Sequence, residues 1–243
     1  MQAVASVAHL RFSVENELST FDFRLSALSF ENDNVDILTF GQFLSIYTLM
    51  ETRTRILEAA AGVFTRYGFR QANMELVAAE ARLSRQGVYR HFSSKDAVFV
   101  AMADGLHQRS LHQAEVEAAK AQQAGGDVVD VLVAAVCGRT ALHFAFLIDA
   151  PHAKELNDEH NRHCGPVIEA HRGRFLALLA EIIDRARMDQ NSSSPIGVSS
   201  AEFATDVTII ALGLISVLPP TSPEDFRTNL TRMLRRQARG AAA

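Results

Sequence analysis

The sequence has only two cysteines, Cys137 and Cys164, in 243 residues. Two thiols cannot build a disulfide framework or a four-thiolate zinc site, and they fit a reducing, cytoplasmic compartment. Long apolar runs are missing as well. The longest, Val207–Leu218, falls short of the roughly 20 residues that a membrane helix requires. The start of the chain has no basic stretch ahead of an apolar one, so a secretory signal is not expected. These absences predict a soluble protein with no membrane partner. There is also no nucleophile elbow, no phosphate-cradling glycine loop and no pair of carboxylates on one helix face. Neither enzymatic activity, nor catalytic residues, nor a cofactor is therefore expected. An excess of positive charge is lacking too: the net charge is −4, which at first argues against a nucleic-acid partner.

What is present changes that last point. Hydrophobic residues make up 48% and charged residues 21%, an ordinary globular composition. The charge is segregated along the chain, with net values of −4 over residues 1–50, +3 over 51–110 and −3 over 111–243. Only the middle segment is positive. Screening confines charge effects to about 8 Å at physiological salt, so one basic face on an acidic protein suffices to meet phosphates.

Residues 1–50 stand apart from the rest. They contain no lysine and hold six of the fifteen phenylalanines, and the stretch from Phe21 to Leu28 alternates weakly, as a strand would. Two readings stay open: an N-terminal extension that packs on the body, or a start placed too early, with Met50 as the initiator just before a helix. From Glu51 the pattern is helical. Ile56, Leu57, Ala60, Val63, Phe64 and Tyr67 fall on one face of a 3.6-residue period, and Gly68 marks a stop. Asn73 caps a short helix, Met74 to Ala81, with Leu76, Val77 and Ala81 inward. Ser84 caps a third segment reaching Phe92. Ser93, with Asp96 three residues on, is expected to open a long fourth helix. Further helices are predicted over about 128–148, 153–162, 166–188, 201–218 and 224–239, with a loop at 190–197. The fold class is all-α, divided into residues 1–50, a helix-turn-helix domain at 51–100, and a helical domain at 101–239.

Two short helices joined by a tight turn form the helix-turn-helix unit. The second exposes Arg85, Gln86, Tyr89, Arg90 and His91, while Val88 and Phe92 face inward as anchors. An α-helix fits the major groove, where Arg and Gln read guanine and adenine edges. The stretch from Val77 to Asp96, with its tyrosine-x-histidine-phenylalanine end at Tyr89–Phe92 and the Lys95-Asp96 pair, resembles the TetR/AcrR signature. Ala59, Phe64, Gly68 and Phe69 fit it upstream. The resemblance is strong over residues 54–100 and architectural beyond. Arg82 departs from the glycine usual at the turn, which strains the backbone if φ is positive there.

The resemblance implies a ligand-responsive regulator, a repressor released from a palindromic double-stranded DNA operator by a small, largely apolar effector. Arg85 and Gln86, from the helix capped by Ser84, would read bases, and Gly87 would allow close approach. Tyr89, His91 and Lys95 would contact phosphates, as would Asn73 through the start of its helix. Each has a plainer alternative: Arg85, Gln86 and Arg90 as solvated surface, Tyr89 as packing, His91 as a local hydrogen-bonding group. The last two helices would pair with a second copy as a homodimer. The body between would enclose an effector pocket, with Val133, Val136, Cys137, Leu142, Phe144, Phe146, Leu147, Phe175, Leu176 and Leu179 as candidate lining residues or simply core. His143, His152, His160, His163, Cys164 and His171 crowd into thirty residues, so a metal-responsive regulator is an alternative, although no residues are assigned as metal ligands. A helical carrier or enzyme that does not bind DNA is the remaining alternative.

Overall fold

The computed structural model describes residues 37–147, 151–189, 198–216 and 222–240, without the side chains of 37–47, 143–147, 189, 239 and 240. Met1–Tyr47 and Thr48–Ala243 are separate units, and both hydrophobic cores lie in the second. The alternating stretch at 21–28 and the loop at 190–197 lie outside the described residues.

Every described element is a helix, and no strand occurs among the described residues. In chain order they are α1 (Ile37–Gln71), α2 (Met74–Glu80), α3 (Arg85–Tyr89), α4 (Lys95–Gln123), α5 (Val128–Leu147), α6 (Ala153–His163), α7 (Gly165–Asp189), α8 (Ser200–Ile215) and α9 (Pro223–Gly240). The expected all-α class, a helix-turn-helix domain followed by a larger helical body, is what the chain forms.

Three local expectations change. First, α1 already begins at Ile37, so Met50 lies within a helix and not at its start. Second, α4 opens one residue later than expected. Ser94, not Ser93, has the extended backbone of an N-cap, and its side chain accepts a hydrogen bond from the Ala97 N–H at 3.1 Å. Third, Tyr67 lies at the edge of the apolar face of α1 and remains 36% exposed.

The stop at Gly68 is as expected, and the structure gives its reason. Its φ of 74° and ψ of 165° belong to a region open essentially to glycine alone. A Cβ there would also meet Glu155 Oε2 of α6 at 2.6 Å. The break turns Phe69 into a cluster with Phe64 and Phe99, with ring centroids 4.8 to 5.6 Å apart.

That cluster lies in the first of two hydrophobic cores. It gathers Ile56, Val63, Phe64 and Phe69 from α1, Val77 from α2, Val88 from α3, Phe92, and Val98, Phe99 and Ala103 from α4. Cys164, between α6 and α7, is fully buried in it, and Leu156, Val167 and Ile168 pack alongside. The second core draws on α4 from Ala114 onward and on α5, α7, α8 and α9. Helix α5 sits at its middle, with every residue from Val129 to Val136 buried apart from the half-buried Asp130. Such a helix needs no polar stripe, because neighbours surround it. At Gly138 an added Cβ would lie 2.6 Å from the Gln113 carbonyl oxygen, so α5 rests directly on the backbone of α4. Helix α4 therefore belongs to both cores.

Candidate nucleic-acid interface and effector region

The turn between α2 and α3 is built by backbone hydrogen bonds. Leu83 N–H donates to the Ala78 carbonyl at 2.9 Å and Arg82 N–H to that of Ala79 at 3.1 Å, the bond pair of a Schellman helix end. The motif demands a left-handed residue at its centre. Here that residue is Arg82, with φ 54°, the one non-glycine with positive φ among the described residues. The strain expected at this departure from glycine is thus present, and it sets an exposed cation at the turn.

Both short helices begin with side-chain caps. Asn73 Oδ1 accepts from Leu76 N–H at 2.9 Å, and Ser84 Oγ accepts from Gly87 N–H at 3.0 Å. Helix α3 spans five residues, shorter than the segment ending at Phe92, because the chain leaves the helix at Arg90 and Phe92 folds back into the core, 4% exposed. Val88 is fully buried. With these two anchors inward, Arg85, Gln86, Tyr89 and Arg90 point to solvent, and Gly87 and His91 are half-buried. A Cβ at Gly87 would press on the Ser84 cap at 3.3 Å.

Arg85 is not idle in the free protein. Its guanidinium pairs with Glu75 of α2 at 2.7 Å and lies over the Tyr89 ring at 5.4 Å. Both partners are exposed, so the pair holds the side chain loosely and gives way to a better anion.

Lys95 has partners within the fold. Its ammonium donates to the carbonyls of Phe69 and Ala72, at 2.8 and 3.0 Å, and sits 4.3 Å from the Phe69 ring centre. These carbonyls follow the break at Gly68, so Lys95 fastens the end of α1 to the start of α4. No sequence pattern announces this, because the break brings together groups more than twenty residues apart. Arg53 is a further cation that the motif does not single out: its guanidinium covers the Phe92 ring at 4.3 Å, beside the end of α3.

In the body, the expected pocket residues disperse. Val133, Val136, Phe175 and Leu179 are at most 4% exposed within the second core. Cys137 is half-buried, and burial pushes its thiol upward despite nearby Arg227. The side chains of Phe144 and Leu147 lie outside the described residues. A cleft of about 170 Å³ opens elsewhere, lined by Gln122, Asp127, Val131, Ile182 and Arg185 among others, none of them expected.

The crowded histidines separate in the same way. His152 turns to Glu155 at 3.6 Å, and His163 to Glu159 at 3.2 Å. Cys164 lies in the first core, its thiol pushed up to about 11 by burial. His160 meets His107 at 2.9 Å, and His171 meets Asp104 at 2.7 Å. The side chain of His143 is outside the described residues. Among the described residues no group of three His, Cys, Asp or Glu could hold a metal ion. His107 and Arg139 escape a sequence reading, because they approach from helices distant along the chain. No helix among the described residues is long and apolar enough to cross a membrane.

Comparison with known proteins agrees with this geometry. Residues 56–102 match the family described as bacterial regulatory proteins, tetR family. The HTH-type transcriptional regulator UidR of Escherichia coli K12 is 38% identical over 60 residues, 25% of this chain and 31% of that protein. The match thus spans about a third of the length of the curated relatives. The structure of Salmonella enterica GusR superposes with a TM-score of 0.56 at 23% identity, covering 77% of this chain and 95% of that one. SCO4454, a TetR-family transcriptional regulator from Streptomyces coelicolor, gives 0.52 at 17% identity, with 80% and 97% covered. At these identities the two structures speak for the fold alone. The helix-turn-helix at 56–102 thus matches the tetR family of bacterial regulatory proteins, and it sits on a helical frame that the two solved structures share.

Proposed function

We propose that the protein is a transcriptional repressor that binds a palindromic operator as a homodimer and leaves it when a small molecule enters the helical body. The carrying observation is α3: two buried anchors, Val88 and Phe92, hold a short helix that offers Arg85, Gln86, Tyr89 and Arg90 to solvent. Arg85 and Gln86 read base edges in the major groove. Tyr89, Arg90, His91, Arg82 and Arg53 meet phosphates, which supply affinity and its salt dependence. Asn73, Ser84 and Lys95 contribute by holding the helices that carry the contacts, with the starts of α2 and α4 turned to the same anionic backbone.

Dimerisation is assigned to α8 and α9. Ile209, Leu212 and Met233 are 61%, 57% and 39% exposed, apolar side chains that a second copy would cover. A two-fold dimer sets two recognition helices on two half-sites, hence a palindrome.

Helix α6 supplies the coupling. Glu155 accepts from the Arg70 N–H at 2.8 Å, and Glu159, 2% exposed, pairs with Arg70, Arg162 and His163. The end of α1 is thereby fastened to the body, so an effector that favours a shifted α6 also shifts the DNA-binding domain. Such couplings are typically about 1–3 kcal/mol.

Fluorescence anisotropy with duplexes from the region upstream of the coding sequence tests the proposal at two salt concentrations. Selective binding over a scrambled duplex, weakening as salt rises, is expected. Equal, weak binding to native and scrambled duplexes, with no enrichment of any genomic fragment, would overturn it.

A further inference from the structure

Four helices contribute to a polar knot that runs from the surface into the body: exposed Asp104 and half-buried His107 from α4, half-buried Arg139 from α5, half-buried His160 from α6 and buried His171 from α7. His171 is 2% exposed. Its Nε2 meets Asp104 Oδ1 at 2.7 Å, its ring stacks on His107 at 5.3 Å, and its buried Nδ1 has no hydrogen-bond partner among the described residues. The Arg139 guanidinium lies 4.7 Å over the Phe175 ring, and its buried Nη1 has no partner among the described residues.

The charges do not cancel. Asp104 is engaged by His171 through one hydrogen bond. His107 and His160 share one Nε2···Nε2 contact, in which one ring donates and the other accepts. Burial, followed by the nearby charges of His160, Arg139 and His171, holds His107 down at about 4, with Asp104 opposing, so it is neutral at physiological pH. Among the described residues no carboxylate pairs with Arg139, whose buried Nη1 has no partner there. Burial alone pulls its guanidinium below the ordinary value, and no carboxylate offsets the pull among the described residues. A buried, unpaired charge destabilises a fold, whereas leucine or methionine would pack there without that cost.

The geometry states what such a group is suited to bind. Phe175 covers one face of the guanidinium, and the partnerless Nη1 belongs to a planar fork of the kind that matches carboxylate oxygens. One cation flanked by a neutral imidazole balances a single negative charge rather than two. We propose that Arg139, with His107 and His171, is the receptor for the carboxylate of a small organic acid, and that this acid is the effector. Binding stands on the knot alone; the word effector rests on the regulator reading above. His160 stands against His107 on α6, the helix that also carries Glu155 and Glu159. An acid that recruits His107 therefore acts at the far side of the helix that holds the end of α1.

The test uses the full chain without DNA. Acetate, benzoate and hexanoate are titrated, with benzamide as the neutral counterpart of benzoate and inorganic phosphate as the dianion, while imidazole NMR signals of His107 and His171 are followed. At least one carboxylate is expected to shift both histidines saturably, with benzamide silent, phosphate weaker, and Arg139→Gln weakening binding roughly 10- to 100-fold. Silence from all three carboxylates, equal response to benzamide, tighter binding of phosphate, or unchanged affinity in Arg139→Gln would each overturn the proposal. Should Arg139→Gln fail to fold, the benzoate and benzamide arms on the unmodified protein decide. Carboxylate binding without operator binding overturns the regulator reading and leaves the receptor standing; operator binding without a carboxylate response does the reverse.

Discussion

The two cores of this molecule treat polar groups in opposite ways. Around the first, no described residue of the core keeps a buried side-chain nitrogen or oxygen without a partner: Asn73, Ser84 and Ser94 cap helices, and Lys95 ties carbonyls. Beside the second, Arg139 and His171 keep buried nitrogen atoms without partners among the described residues. A region that must present a fixed surface to a fixed helical lattice gains from full satisfaction, because satisfied networks rigidify. Under the proposed function, a region that responds to a small molecule gains from groups whose best partner comes from outside, and the contrast is then one of task, built from the same α-helices.

The largest test of this contrast removes a ring from the first core. Phe64 is 1% exposed and packs on Phe69 and Phe99, so Phe64→Ala should cost about 3–5 kcal/mol. Because α4 serves both cores, urea denaturation should show one transition moved to lower concentration. A second, unmoved transition would mean that the cores are independent. Next in size is Arg85→Ala. Operator affinity should fall by about 1–3 kcal/mol, with the thermal midpoint of the free protein unchanged, since its pairing with Glu75 is exposed. A stability loss matching the affinity loss would assign Arg85 to the fold instead.

The acid response separates the cores from the other side. His107 is held at about 4, below its ordinary 6.5, so the folded state disfavours its proton. Stability from keeping it neutral is complete above about pH 6.5 and is lost as pH falls toward 4. His160, Arg139, His171 and Asp104 all face it. Melting curves of the unmodified protein and His107→Gln should diverge at neutral pH and converge by pH 4; curves that stay parallel would sink this assignment. The smallest effect belongs to Arg82. Replacement by glycine relieves a left-handed backbone and should raise stability by about 1 kcal/mol, while weakening all DNA alike and lowering the salt slope by about one.

Legibility in the sequence follows the same divide. The first core is readable because its signals are local: the period of Ile56 to Phe64, the stop at Gly68, the caps at Asn73 and Ser84, and the inward pair Val88 and Phe92. Each requires knowledge of only a few neighbours. What escapes there is non-local. Lys95 looks like a phosphate ligand in the sequence, and its reach back to Phe69 and Ala72 depends on a chain reversal that no spacing reveals. In the body the helices are legible, yet their faces are not, because the buried middle of α5 offers no direction. Val133 and Phe175, for example, are buried in the second core, which their spacing alone does not distinguish from a pocket wall. The histidine crowding at 143–171 in sequence is not one cluster among the described side chains. Proximity in sequence scatters on folding, and the knot that forms recruits His107 and Arg139 from other helices.

Cys164 bears on how such proteins can be recombined. Its side chain fills the first core together with Leu156, Val167 and Ile168, although the chain reaches it only after α4 and α5. A chimera cut within α4 would carry the helix-turn-helix head with an open seam where those four residues belong, and the recipient body would have to plug it with its own. The transplantable module is therefore not a continuous stretch of gene. It is residues 48–103 plus a graft of α6 and the first turn of α7, so exchange of specificities between relatives is constrained by the shape of that plug as much as by any contact with DNA.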